Sequence, residues 1–196
     1  MKNIAVLVSG GGTNLQALID AQNSGRIKSG KISCVISSKQ DAYALTRAAN
    51  SGIKTAVVAR GDYATFEEYD IALAKALQNF NIDVVVLAGF LTILGENVIK
   101  VFENRIINIH PALIPSFCGK GFYGLKVHQA ALERGVKLTG ATAHFVTLGC
   151  DEGPIISQKA VEVLPNDTPE ALQKRVMEQA EWVILPQAVE IVCSSI

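Results

Sequence analysis

The sequence predicts a doubly wound α/β fold with a mostly parallel sheet, antiparallel strands in its C-terminal half and a long closing helix. Two observations carry this. Short apolar runs of strand length alternate with amphipathic stretches over the first ~100 residues. Those runs lack in-out alternation, as expected where helices cover both faces of a parallel sheet.

Ile4-Ala5-Val6-Leu7-Val8 is the first strand, and it stops at Ser9-Gly10-Gly11-Gly12. Thr13 to Asn23 follows as a helix, with Leu15, Leu18 and Ile19 at helical spacing. Ile32 to Ile36 is a second β-branched run, closed by Ser37-Ser38. Tyr43 to Asn50 reads as a helix ended by Ser51-Gly52. Thr55 to Val58 is a short third strand, and Phe66 to Phe80 an amphipathic helix. Val84-Val85-Val86-Leu87-Ala88 is the fourth and most apolar strand.

The pattern then changes. Ile106 to Ile109 reads as a fifth strand, Pro111 to Tyr123 as a long loop and Lys126 to Arg134 as a helix. Ala141 to Val146 and Ile155 to Val163 read as further strands, the antiparallel part of the sheet. One long helix is expected from Thr168 to Val192, capped by Asp167 or Thr168 with Pro169 early in it. Pro186 is expected to kink or break that helix. The whole reads as one Rossmann-like domain over 1–196, without repeats or linkers.

The totals narrow the partners. The chain has 196 residues, 49% apolar and 18% charged, which fits a compact domain and not a disordered segment. Lysine plus arginine balance aspartate plus glutamate at 18 each, and no basic cluster appears, so nucleic acid is not the expected partner. No segment approaches the ~20 apolar residues needed to cross a bilayer, and the opening run is too short for a signal peptide. Cys34, Cys118, Cys150 and Cys193 lie far apart with no C-x-x-C pair, which argues against zinc and for reduced thiols in a cytoplasmic protein. A monomer and a homodimer both remain open.

Ser9-Gly10-Gly11-Gly12-Thr13-Asn14 sits between the first strand and first helix. Open α/β sheets bind ligands at the C-terminal ends of their strands, and a helix N-terminus offers free N–H groups to a phosphate. Gly11, Gly12, Thr13 and Asn14 are therefore candidate phosphate-binding residues. The turn has neither Walker A spacing nor the third glycine of a dinucleotide fingerprint. A tight turn without a ligand is the alternative.

Asn108-Ile109-His110-Pro111 ends the fifth strand, and alternation puts Asn108 and His110 on one face. Asp151 follows in the loop Cys150-Asp151-Glu152-Gly153-Pro154. A carboxylate beside an imidazole is expected to raise its pKa above ~6.5. An amide N–H can stabilise an oxyanion, so the three residues suit acyl transfer to an amine. On spacing alone each also has a plain structural reading.

Three segments resemble the folate-dependent formyltransferase family. Ile107-Asn108-Ile109-His110-Pro111-Ala112-Leu113-Ile114-Pro115 resembles its N-x-H-P signature. His144-Phe145-Val146-Thr147 with Asp151-Glu152-Gly153-Pro154-Ile155-Ile156-Ser157-Gln158 resembles its second signature. Ser9 to Gln16 is similar to the phosphate loop of members that formylate 5'-phosphoribosylglycinamide. The match in order and separation spans essentially the whole chain.

The resemblance implies transfer of the formyl group of 10-formyltetrahydrofolate to the amine of 5'-phosphoribosylglycinamide, a purine-biosynthesis step that needs no metal. It implies a phosphate-binding half over 1–100 and a catalytic, folate-binding half over 101–196. Asn108, His110 and Asp151 would be catalytic, with Asp151 keeping His110 charged. Gly12, Thr13 and Asn14 would hold the phosphate. Phe90, Leu91, Thr92, Ile93, Leu94, Val146 and Asp151 would line the folate site, although ordinary core packing also accounts for the pattern of 88–94. Glu181 would bind the ribose, and His144 would support the site. His128 would lie beside it, or be a loop or surface histidine.

The chain also departs from the family. Thr92 and Phe66 stand where some members have arginine, and the loop Ser116 to Gly124 is longer than in the shortest members. The family's Glu-His appears as Glu181-Trp182, shifted by one residue. Arg60, Lys120 and Lys126 are candidates for the folate's acidic tail or the phosphate, and equally for solvated surface charges.

Other functions fit less well. A transfer-RNA formyltransferase is expected to carry a further C-terminal domain, and a formyltetrahydrofolate hydrolase an N-terminal module. A sugar formyltransferase shares the trio but not the glycine turn. A phosphate- or folate-binding protein would not need the trio, and a flavin carrier has no site here.

Overall fold

In the computed structural model, which describes residues 1–196, one sheet of seven strands runs through the chain in the order β3-β2-β1-β4-β5-β6-β7. The strands are β1 (Lys2–Val8), β2 (Gly30–Ser37), β3 (Lys54–Val57), β4 (Val84–Leu87), β5 (Ile106–His110), β6 (Leu138–Phe145) and β7 (Ile155–Glu162). The first five are parallel, and β6 and β7 run antiparallel. The helices are α1 (Thr13–Asn23), α2 (Tyr43–Asn50), α3 (Phe66–Asn79), α4 (Glu96–Val101), α5 (Leu125–Arg134), α6 (Pro169–Val176) and α7 (Trp182–Ser195). No helix is long and apolar enough to cross a membrane.

The unalternating strand runs bury both faces. Ile4, Val6 and Val8 of β1, with Val84 and Val86 of β4, pack in a cluster with residues of α1, α2, α6 and α7. Ala5, Leu7, Val85 and Leu87 pack on the other face with residues of α3 and α4. Each fully buried aliphatic side chain contributes roughly 1.5–3 kcal/mol, so these clusters hold the helices more firmly than propensity does. α3 also carries a full capping box, in which Thr65 Oγ1 accepts the Glu68 N–H and the Glu68 carboxylate accepts the Thr65 N–H.

Three expectations need correcting. α4 was not foreseen, because its six residues are too few to show a period. Its start is held by the Asp70 carboxylate, which accepts the Gly95 and Asn97 N–H groups at 2.8 Å each. β6 begins at Leu138, before the expected Ala141, because its hairpin with β7 pairs Leu138 with Glu162.

The expected long C-terminal helix is present as one uninterrupted run in which α6 passes through a π-helical segment, Met177–Glu181, into α7. Pro186 does not end it. Proline removes one N–H and crowds the carbonyl four residues back, at Trp182, and the chain widens in the turn before that carbonyl.

Candidate active site

The chain order reverses between β1 and β4, and their C-terminal ends open side by side at this switch point. Leu7 pairs with Leu87, and Leu87 with Asn108, so the ends of β1, β4 and β5 stand level. The glycine turn, the segment Ala88 to Leu94 and the Asn-x-His strand end thus share one edge.

At the turn, Gly12 has φ +74°, and a Cβ there would meet Ala44 Cβ at 2.7 Å, so both backbone and space demand glycine. Gly12 caps α1 without a side-chain hydrogen bond, which leaves first-turn N–H groups free for an anion. Arg47, absent from the sequence expectations, braces the turn. Its Nε–H donates to the Gly11 carbonyl at 2.8 Å and its Nη1 to Gln16 at 3.2 Å, and the guanidinium lies over the Tyr43 ring. The (i, i+4) spacing of Tyr43 and Arg47 was the signal available. Ser9 Oγ accepts the Leu91 N–H at 3.0 Å, tying the turn to the 88–94 segment.

The Asn14 side chain is engaged within the protein: its N–H donates to Glu181 Oε2 at 2.7 Å. Glu181 ends the π segment and is buried there. Burial raises the Glu181 carboxyl pKa, and the Asn14 bond works in the opposite direction.

Alternation along β5 sends Ile107 and Ile109 into the α1–α7 core and leaves Asn108 and His110 on the opposite face. Antiparallel pairing then sets Asn108 opposite His144, and His110 opposite Thr142. The His144 Nδ1–H donates to the Phe145 carbonyl at 2.8 Å, so in the neutral ring Nε2 accepts the Asn108 amide N–H at 3.1 Å. The second amide hydrogen of Asn108 stays available.

Asp151 closes the cluster. Its Oδ2 lies 3.6 Å from His110 Nδ1 and accepts the Gly119 N–H at 2.9 Å, while Oδ1 lies 3.6 Å from His144 Nε2. Asp151 holds φ +59°, a left-handed conformation that Asp tolerates better than most residues and that turns its carboxylate inward. A Cβ at Gly153 would run into the Phe145 carbonyl, so the loop is drawn tight behind Asp151.

The electrostatics correct one expectation. Burial opposes charge on Asp151, but the His144 ring, the Gly119 amide and His110 together hold its pKa at about 2. His110 does not rise. Burial lowers its pKa, and its bond to Phe117 and the Asp151 charge only partly offset that. The His110 Nε2–H donates to the Phe117 carbonyl at 2.8 Å. His128 is no surface residue either. It is fully buried in α5 with neither ring nitrogen bonded, and burial, then His110, pushes its pKa down to about 4.

Of the folate-site residues, Leu91 and Ile93 are 63% and 71% exposed at this edge, while Leu94 is core. Phe90 and Val146 are half-buried against the α3–α4 core. Thr92 is half-buried between Leu91 and Ile93, and the Tyr69 hydroxyl is buried without a hydrogen-bond partner. Lys126 is engaged with the Tyr123 ring and hydroxyl, Arg60 with the Tyr63 carbonyl, and Lys120 is exposed. No group of three or more His, Cys, Asp or Glu side chains is arranged to hold a metal ion.

Residues 2–189 match a family described as formyl transferase. The chain is 43% identical over 97% of its length to a phosphoribosylglycinamide formyltransferase of Haemophilus influenzae, covering 86% of that protein. It is 42% identical over 97% of its length to the human trifunctional purine biosynthetic protein adenosine-3, covering 18% of it. Among solved structures, glycinamide ribonucleotide transformylase 1 from Symbiobacterium toebii superposes with TM-score 0.93 at 44% identity, over 100% of this chain and 89% of that one.

Proposed function

The chain belongs to the formyl transferase family, and on that footing we propose that it transfers the formyl group of 10-formyltetrahydrofolate to the amine of 5'-phosphoribosylglycinamide. The convergence of Asn108, His110, His144 and Asp151 beyond the end of β5 carries this reading. The acceptor follows from the free N-terminus of α1 and from the names of the relatives.

The amine attacks the formyl carbon, and its oxygen gains negative charge while the nitrogen gains positive charge. The free amide hydrogen of Asn108 and the Nε2–H of His110 are the donors for the oxyanion. In this structure the His110 Nε2–H donates to the Phe117 carbonyl, so that bond must open before the oxyanion takes its place. Collapse breaks the bond from carbon to the folate nitrogen, which takes up a proton as the amine loses one.

Asp151, with its pKa near 2, is ionised at neutral pH and a poor base. Its role is electrostatic: it stabilises the ammonium that forms on the attacking nitrogen, and an imidazolium at His110 once the oxyanion offsets the cost of burial. His144 orients Asn108. The N–H groups at Gly11 to Asn14 hold the phosphate, Glu181 meets the ribose hydroxyls, and Phe90 to Ile93 with Val146 receive the folate. Four free cysteines support a cytoplasmic setting, and the unit is a monomer or a homodimer.

The test follows the absorbance of 10-formyltetrahydrofolate with purified protein, with and without 5'-phosphoribosylglycinamide. Tetrahydrofolate formed only with the ribonucleotide supports the reading. Equal formation without it makes the protein a hydrolase, and no formation with it refutes the acceptor.

A further inference from the structure

Two thiols that the sequence separates face one cleft. Cys118 and Cys150 both line the opening of about 670 Å³ beside Asp151. Cys150 is exposed and Cys118 half-buried, whereas Cys34 and Cys193 are buried in the core. Asp151 joins the two strips of chain. Its Oδ2 accepts the N–H of Gly119, directly after Cys118, and lies 3.8 Å from Cys150 Sγ. Cys118 Sγ meets the Pro115 carbonyl at 3.3 Å. Neither thiol has a part in formyl transfer.

We infer that Cys118 and Cys150 form a slowly oxidised dithiol beside Asp151, which a peroxide converts to a disulfide that hinders the site. The exposed Cys150 thiolate attacks a peroxide oxygen, the oxygen–oxygen bond breaks to leave a sulfenic acid and hydroxide, and the hydroxide takes up the proton the thiol had lost and leaves as water. The Cys118 sulfur attacks that sulfur, the sulfur–oxygen bond breaks, and the departing hydroxide takes the Cys118 proton as a second water. Two thiols and one hydrogen peroxide thus give one disulfide and two waters.

A disulfide needs Cα atoms roughly 4.4–6.8 Å apart. Asp151 holds the two loops together, through the Gly119 N–H on one side and Cys150 Sγ on the other, and the bond forms where they close to that spacing. The bond would pin the loop that carries the Phe117 carbonyl over His110 and narrow the way to Asp151.

The same geometry sets the rate. Burial, then the Asp151 charge, raises the pKa of each thiol, so few thiolates exist near neutrality. Oxidation is therefore slow in the native protein and faster once the Asp151 charge is removed.

The inference goes beyond formyl transfer, and its main readout does not depend on it. The protein is treated with hydrogen peroxide, digested without reduction and analysed by mass spectrometry. The expected result is a peptide pair joined through Cys118 and Cys150, separated by dithiothreitol, absent in Cys118→Ser and Cys150→Ser, and formed faster in Asp151→Asn. Transferase activity should fall as the pair forms and return on reduction, and both serine variants should resist inactivation. Absence of the joined pair, or equal inactivation of both serine variants, would overturn the inference.

Discussion

Asn14 and Glu181 meet across 167 residues of sequence, the side-chain N–H of one donating to the buried carboxylate of the other at 2.7 Å. The bond fastens the glycine turn to the C-terminal helix where its turn widens. Asn14 Oδ1 stays buried without a partner, an acceptor suited to a hydroxyl and not to a phosphate. Asn14→Ala would leave Glu181 buried without its donor, so stability should drop by about 1–3 kcal/mol, read from urea unfolding. The apparent KM for the ribonucleotide should rise more than turnover falls. A pure turnover defect would place Asn14 at the chemistry instead.

Asp151→Asn keeps the shape and removes the charge. If the carboxylate acts on charge that appears only in the transition state, turnover should fall about 10²–10³-fold with folate affinity nearly unchanged. Steady-state kinetics and a folate-analogue titration separate the two. Wild-type turnover would remove Asp151 from the mechanism.

Stability should rise with pH through the histidine range. The pKa of His128 is about 4 when folded, against about 6.5 unfolded. Between these values the unfolded chain binds more protons. The His128 contribution is whole above pH 6.5 and is lost as pH falls toward 4, on the order of 3 kcal/mol. His110 acts in the same direction. Asp151 adds a lower step, present above about pH 4 and lost as pH falls toward 2. Urea midpoints from pH 7.5 to 4.5 should fall steeply in the wild type and less in His128→Leu, and parallel curves would contradict the assignment.

Thr142 should matter through one hydroxyl. Its Oγ donates to the Ala112 carbonyl at 2.7 Å and accepts the Ile114 N–H at 3.1 Å and the Gln158 amide at 3.0 Å, fixing the chain just beyond His110. Thr142→Val strands the Ala112 carbonyl and the Ile114 N–H, which costs roughly 1–3 kcal/mol, and turnover should fall with it. Thr142→Ser keeps the hydroxyl and should restore both. Equal loss in the two variants would mean packing, not the hydroxyl, is what counts.

What the sequence made legible follows from locality. The parallel strands read directly because burial on both faces leaves unbroken apolar runs such as Val84 to Ala88. Asn108 and His110 read because alternation along one strand fixes their shared face. Asp151 and the phosphate turn read mainly through family resemblance, since their loop neighbours carry no period. What failed to read depends on contacts distant in sequence. His110 falls in pKa because burial exceeds the pull of Asp151, and burial is not a sequence pattern. Asn14 turns to Glu181 only because a π segment brings that carboxylate round, and Cys118 meets the cleft of Cys150 only because two loops converge.

The most direct measurement follows a ¹³C-labelled formyl group on the folate donor by NMR, with 5'-phosphoribosylglycinamide present. The account predicts that the label appears as a formamide on the ribonucleotide, at a rate set by enzyme concentration and nearly abolished in Asp151→Asn. Label appearing as free formate, or remaining on the folate, would contradict it.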